Sequence, residues 1–197
     1  MIAALDPIPM NPQEYLAWEE KQPLKYEYLE GKVYAMTGGT IPHNDLAVNL
    51  TTLLKNHLRG RGCKVQMADA KVGISEQGPF HYPDVMVSCD ERDRRATRVL
   101  SHPCLIIEVL SPSTEAFDRG RKFQNYRQIA ELQEYVLVSA DQRMVECFHR
   151  NDQGIWELYT YSEEDSVLLR SVGWEGLVTE IYEDVVLEGG QGDGRIQ

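Results

Sequence analysis

The run Leu105-Ile106-Ile107-Glu108-Val109-Leu110 sets one carboxylate in the most apolar strand-like stretch of the 197-residue chain. A short continuous apolar run of this kind reads as a strand buried on both faces, which calls for a sheet covered by helices. A carboxylate in such a strand is costly unless it is paired with a cation or holds a metal. Glu108 therefore has two readings: a buried salt bridge, to Lys122 or Arg121, or a functional carboxylate.

The remaining pattern supports a mixed sheet with helices on its faces. Asn11-Pro12 predicts a helix over 13–21, capped by Asn11 with Pro12 at its first position. Two alternating runs around Glu30-Gly31 predict a hairpin over 26–36, followed by a loop at 37–40. The spacing of Leu46, Leu50, Leu53, Leu54 and Leu58 predicts a helix over 43–58, stopped by Gly60 and Gly62. Strands are predicted over 63–67, 71–74, 80–88, 104–110, 134–139, 144–149 and 155–161. A helix over 119–129, with Asp118 as its cap, separates the last three strands from the rest. Residues 167–187 are a weaker mix. The organisation expected is a single domain over 1–188, with a lead-in at 1–22 and a Gly-rich flexible tail at 189–197.

Composition narrows the class. Hydrophobic residues make up 42% of the chain and charged residues 26%, values that suit a packed core and exclude wholesale disorder. No apolar run reaches the roughly 18 residues of a membrane helix, and the start lacks a basic region followed by an apolar one. The cysteines Cys63, Cys89, Cys104 and Cys147 are widely spaced without a CxxC pair, so reduced thiols in a cytoplasm are expected. The net charge of −11 works against nucleic-acid binding at long range. The charge is uneven, however: from Arg92 to Arg127 eight Lys/Arg face four acids, whereas Glu175 to Asp193 holds six acids and no base. A local basic face including Arg119 and Arg121 and a solvated loop with ordinary charges are both compatible with this pattern.

Three positions carry candidate chemistry. Asp84 lies near the start of a strand in Tyr82-Pro83-Asp84-Val85, either as an ordinary strand-entry residue or as a partner for Glu108. Two carboxylates on adjacent strands supply the hard oxygen ligands that Mg²⁺ or Mn²⁺ prefers. Lys122, on the helix one loop after Glu108, can point back at the end of that strand, with Tyr126 four residues further along the same face. A lysine there stabilises developing negative charge or orients a water; the alternative is an ordinary amphipathic surface helix. His43 and Glu30 form a second tier. His43 opens the first long helix and either joins the cleft or simply contacts the backbone, and Glu30 is either a third acid near the metal or a hairpin residue.

Pro83-Asp84, then Glu108 in an apolar strand, then a lysine, resembles the layout of the PD-(D/E)XK nuclease superfamily. More narrowly, the chain is similar to a bacterial family of restriction-endonuclease-like proteins through Tyr28-Leu29-Glu30-Gly31, His43, Pro83-Asp84-Val85, Glu108-Val109-Leu110-Ser111-Pro112-Ser113-Thr114, Asp118 with Lys122 and Tyr126, and Glu134-Tyr135-Val136-Leu137-Val138. The resemblance runs in order from about residue 15 to 185. It implies an α/β, restriction-endonuclease-like mixed central sheet flanked by helices. It also implies a Mg²⁺- or Mn²⁺-dependent endonuclease acting on DNA, with catalytic Asp84, Glu108 and Lys122 and metal ligands Asp84 and Glu108. Cutting both strands of a duplex calls for two sites, for which a symmetric homodimer is one arrangement, and the cysteine pattern places the chain in a cytoplasm. One position departs from the superfamily pattern: Leu110 stands where the lysine two residues after the second acid is usual, so Lys122 inherits the role from the following helix. The alternative is a non-catalytic nucleic-acid- or protein-binding module that keeps the fold, and a hydrolase of small phosphoesters is a third reading.

Overall fold

The computed structural model describes residues 3–4, 10–36 and 38–187; the expected tail at 189–197 lies outside them. A short strand, β1 (Ala3–Ala4), precedes helix α1 (Pro12–Glu19). Asn11 caps α1 as predicted: its side chain accepts the Glu14 N–H, and the Glu14 carboxylate accepts the Asn11 N–H in return. Strands β2 (Tyr26–Leu29) and β3 (Lys32–Ala35) form the expected hairpin. Its two turn residues, Glu30 and Gly31, take φ values of +49° and +82°, the left-handed pair that matches the twist of the flanking strands. The long helix α2 (Ile41–His57) starts two residues earlier than its apolar spacing indicates, because Thr40 caps it by accepting the His43 N–H.

Strands β4 (Lys64–Met67) and β5 (Lys71–Gly73) follow. The strand predicted over 80–88 is two strands, β6 (Phe80–His81) and β7 (Val85–Ser88). Pro83 has no N–H for a ladder, and the chain passes there from one sheet to the other. After β8 (Val99–Leu100) comes β9 (Leu105–Leu110), buried at all six positions. The helix predicted over 119–129 is a shorter composite that begins earlier: α3 (Glu115–Phe117), a π-helical turn at Asp118–Lys122, and α4 (Phe123–Tyr126). Asp118 sits inside this segment rather than capping it. Strands β10 (Glu134–Ser139), β11 (Met144–Arg150) and β12 (Trp156–Ser162) follow as an antiparallel meander. The weak mix at 167–187 resolves into a hairpin of β13 (Ser166–Leu169) and β14 (Trp174–Leu177) and the short helix α5 (Val178–Ile181).

The main sheet has the order β12-β11-β10-β9-β7-β4, with β9 and β10 parallel and the other pairs antiparallel. The second sheet has the order β1-β3-β2-β6-β5-β8 and is also mixed, through the parallel β5–β8 pair. This is the mixed α/β architecture that the sequence leads one to expect. Period-two alternation sorts β9 between two cores. Leu105, Ile107 and Val109 pack with Leu46, Leu50 and Leu54 of α2. Ile106 and Leu110 pack on the opposite face with Tyr126, Ile129 and Tyr135. Glu108 shares the parity of Ile106 and Leu110, so the strand aims its carboxylate at the 115–126 helical segment. Truncating one of these side chains, as in Ile107→Ala, costs about 2–5 kcal/mol.

One expectation fails. Cys63 and Cys89 are joined in a disulfide, with Cα atoms 4.0 Å apart. The antiparallel register pairs Lys64 with Ser88, which sets the residues just beyond, Cys63 and Cys89, side by side. A pairing across 26 residues of chain is a product of strand register and leaves no mark in cysteine spacing. Cys104 and Cys147 are free thiols.

Candidate active site

Antiparallel pairing of β7 with β9 matches Val85 to Ile107, so Asp84, one residue before β7, arrives beside Glu108. A hydrogen bond locks the arrangement: the backbone N–H of Val109 donates to Asp84 Oδ2 at 2.8 Å. His43, in the first turn of α2, places Nε2 3.3 Å from the same oxygen. Burial opposes a charge on His43, but Asp84 outweighs it and raises the imidazole pKa.

Lys122 reaches the other side of Glu108. Its ammonium lies 2.9 Å from Glu108 Oε1, 3.2 Å from Asp118 Oδ1 and 3.6 Å from Glu27 Oε1. The Tyr126 hydroxyl donates to the same Glu108 oxygen at 2.8 Å. Asp118, Lys122 and Tyr126 are spaced by four residues, and the π-helical turn brings them to β9 together; such turns recur at functional sites. Tyr135 of β10 anchors the turn by donating to the Asp118 carbonyl at 3.0 Å.

The charges do not balance. Burial raises the Glu108 pKa well above its ordinary value, and the nearby Asp118 and Asp84 add to the rise against the pull of Lys122. Asp118 is also raised, chiefly by burial. The Lys122 pKa rises as well: burial penalises its charge, but Glu108, Glu27, Tyr126 and Asp118 together raise it well above normal. Lys122 is thus held as an ammonium, and the carboxyl groups around it outnumber it and resist sharing negative charge without a further cation. It lines a cavity of about 510 Å³ whose wall includes Glu27, His43, Asp84, Glu108, Asp118 and Lys122.

The donor chemistry fits a hard divalent cation. Asp118 Oδ1 is buried without a hydrogen bond; its contact with Lys122 is an ion pair outside hydrogen-bond geometry. The contacts of Asp84 described above all use Oδ2 and those of Glu108 use Oε1. Among the described residues no three His, Cys, Asp or Glu side chains form a ready-made cage. Two carboxylates plus solvent is the arrangement Mg²⁺ commonly takes.

Of the positions singled out in the sequence, Asp84, Glu108, Lys122, His43 and Tyr126 converge here. Three do not. Glu30 stays on the exposed hairpin turn and pairs with Arg121. Arg119 is held by Glu115 at 2.7 Å and by Glu146 at 2.5 Å. Two residues were missed. Asp118 entered only as a helix cap and as part of the family resemblance, not as a site residue. Glu27, only 3% exposed, lies between Tyr26 and Tyr28; the burial argument used for Glu108 applies to it, but a four-residue strand is too short to signal burial.

A family model described as "Uma2: Putative restriction endonuclease" matches residues 12–180. The fold is thus that of a restriction-endonuclease-like protein, and the chain belongs to the Uma2 family. An uncharacterized protein, slr1290, from Synechocystis sp. (strain ATCC 27184 / PCC 6803 / Kazusa) is 45% identical over 88% of this chain and 91% of its own length. A second from the same organism, sll1609, is 35% identical over 74% of this chain and 83% of its own length. Among solved structures, a "putative nuclease belonging to DUF820" from Anabaena variabilis ATCC 29413 superposes with a TM-score of 0.73, at 15% identity, over 88% of this chain and 98% of that one. Among the described residues no helix is long and apolar enough to cross a membrane.

Proposed function

We propose that this chain is a divalent-metal-dependent endonuclease that hydrolyses phosphodiester bonds in DNA. The observation that carries the reading is the junction of Asp84 and Glu108 across β7 and β9 in an open cavity, with Lys122 seated on Glu108. Family membership supports the same class.

Asp84 and Glu108 are the residues that would hold the metal, Mg²⁺ or Mn²⁺. When bound, the ion supplies a water of lowered pKa and neutralises charge on the scissile phosphate. The protein's own groups do the rest. The Val109 N–H fixes the Asp84 carboxylate relative to β9. Tyr126 and Lys122 fix Glu108 by sharing its Oε1. The ammonium donates to Glu108 and lies beside Asp118, and its charge stabilises the negative charge that builds on phosphate oxygens as water attacks phosphorus and the bridging P–O bond breaks. The charged wall of the cavity is acidic apart from Lys122 and His43, so the metal is the main attraction for a polyanion. Cutting both strands of a duplex calls for two sites, which a symmetric homodimer provides.

The net charge of −11 favours a second reading, a non-catalytic module that keeps the fold. Nicking of supercoiled plasmid in Mg²⁺ or Mn²⁺ separates the two. The wild type converts plasmid to nicked circles, and Asp84→Ala, folded by circular dichroism, does not; cleavage by Asp84→Ala overturns the assignment.

A further inference from the structure

A buried polar chain runs behind Lys122. Asn125 Nδ2 lies 3.0 Å from His81 Nε2, His81 Nδ1 lies 3.1 Å from Glu27 Oε2, and Glu27 Oε1 faces the Lys122 ammonium. His81 is 0% exposed. The β2–β6 register produces the central contact: Tyr28 pairs with Phe80, so Glu27 falls opposite His81. With the Asn125 amide donating to Nε2, the His81 proton resides on Nδ1 and is donated to Glu27. Glu27 also accepts the Tyr82 N–H at 3.1 Å, so both its oxygens are engaged. Burial works against its charge, but Lys122 and His81 hold the carboxyl low, at about 2.

This arrangement differs from a ligand in waiting. Each Glu27 oxygen already accepts a hydrogen bond from the wall of the cavity, unlike Asp118 Oδ1. Lys122 and Asn125 lie three residues apart on one helical segment, and both are tied to the β2–β6 wall through the same Glu27–His81 pair. The Tyr126 ring packs edge-on against His81, with centroids 5.3 Å apart, and closes the stack. A lysine has a flexible four-carbon stem, so a fixed counter-charge decides where its ammonium rests. At 3.6 Å the Glu27 contact is an ion pair rather than a hydrogen bond, so the ammonium keeps N–H donors beyond the one given to Glu108 for the cavity.

We infer that Glu27 and His81 are positioning residues that hold the Lys122 ammonium at Glu108 and set where its charge meets the substrate phosphate. This rests on the catalytic reading of Lys122 but has a test that does not. The Lys122 ammonium of metal-free wild type gives a slowly exchanging ¹H–¹⁵N signal at low temperature. That signal disappears in Glu27→Gln and in His81→Gln. It persists in His81→Asn, whose amide nitrogen stands where imidazole Nδ1 does and can still donate to Glu27. In Mn²⁺-dependent nicking, both Gln variants lose about tenfold in kcat with KM and Mn²⁺ affinity little changed, and His81→Asn recovers to within about threefold of wild type. An ammonium signal unchanged in folded His81→Gln, or a His81→Asn protein as impaired as His81→Gln, overturns the inference. Should Glu27→Gln fail to fold, the two His81 variants decide. A wild type that shows the ammonium signal but cleaves nothing contradicts the nuclease reading and leaves the positioning to be judged by the signal.

Discussion

Lys71 and Lys122 are buried to a similar degree, 5% and 7% exposed, but their surroundings differ in charge. Lys71 meets one carboxylate: its ammonium is 3.0 Å from Glu19 Oε2, and the Tyr82 hydroxyl donates to Glu19 Oε1 at 2.7 Å. The rings of Tyr15 and Tyr82 cover the pair, with centroids 4.6 and 5.4 Å from the ammonium. Burial lowers the Lys71 pKa in spite of Glu19. Lys122 meets three carboxylates, its pKa rises, and its cluster opens on a cavity. A buried ion pair that only completes a core is matched one to one and covered by apolar groups. A cation-binding site needs more carboxyl groups than it has cations, with access from a cavity; of these two clusters, the one around Lys122 has both.

The largest test of this contrast is on activity. Lys122→Met, like Asp84→Ala, is expected to lower plasmid nicking by about a thousandfold or more, as losing charge stabilisation at phosphate does. Lys71→Met, assayed below its melting temperature, is expected to stay within about threefold of wild type. Loss of cleavage by folded Lys71→Met breaks the distinction between the two lysines.

Stability shows the reverse. Lys71→Met strands the Glu19 carboxylate in an apolar setting and is expected to cost about 3–5 kcal/mol in urea melts, while the double change Lys71→Met with Glu19→Leu returns to within about 1–2 kcal/mol of wild type or better. Metal provides a smaller stability effect. Mn²⁺ at 100 times its Kd stabilises a protein by about 2.7 kcal/mol; the wild type should gain this in thermal melts, and Asp84→Ala should not.

How much of this was legible in the sequence depends on the range of the interactions. Glu108 stood out because an unbroken apolar strand advertises its burial, and strand parity then fixed the face it points to. Lys122 and Tyr126 were readable as a pair from local spacing. Asp84 became convincing only through its order relative to Glu108, and its contact with Val109 is a product of the β7–β9 register. Glu27 and His81 were invisible as a pair because 54 residues separate them. The π-helical turn that buries Asp118 breaks the 3.6-residue period on which helix reading depends. The Cys63–Cys89 bridge likewise follows from register.

Two smaller effects sharpen the contrast between charges that are satisfied and charges that are not. Asp93, away from the cavity, accepts from Ser88 Oγ, the Ser101 N–H and the His102 N–H. Burial alone raises its pKa, but these donors bring it below the ordinary 3.8. A depressed carboxylate contributes stability that is present above its unfolded pKa and is lost as pH falls through the folded one. Asp93→Asn should therefore lower the melting temperature at neutral pH and shrink the further drop between neutrality and strong acid; an unchanged acid-induced drop contradicts the assignment. The exposed Glu30–Arg121 pair should matter least: Arg121→Gln is expected to shift stability by no more than about 0.5 kcal/mol and to leave nicking intact.

The central claim, that the carboxylate excess at Asp84 and Glu108 is a cation site, is met most directly by a calorimetric Mn²⁺ titration of wild type, Asp84→Ala, Glu108→Ala and Lys71→Met. Saturable binding in wild type and Lys71→Met, lost in the two carboxylate variants, is the predicted result. No binding heat in the wild type, or binding that survives both carboxylate substitutions, would contradict it.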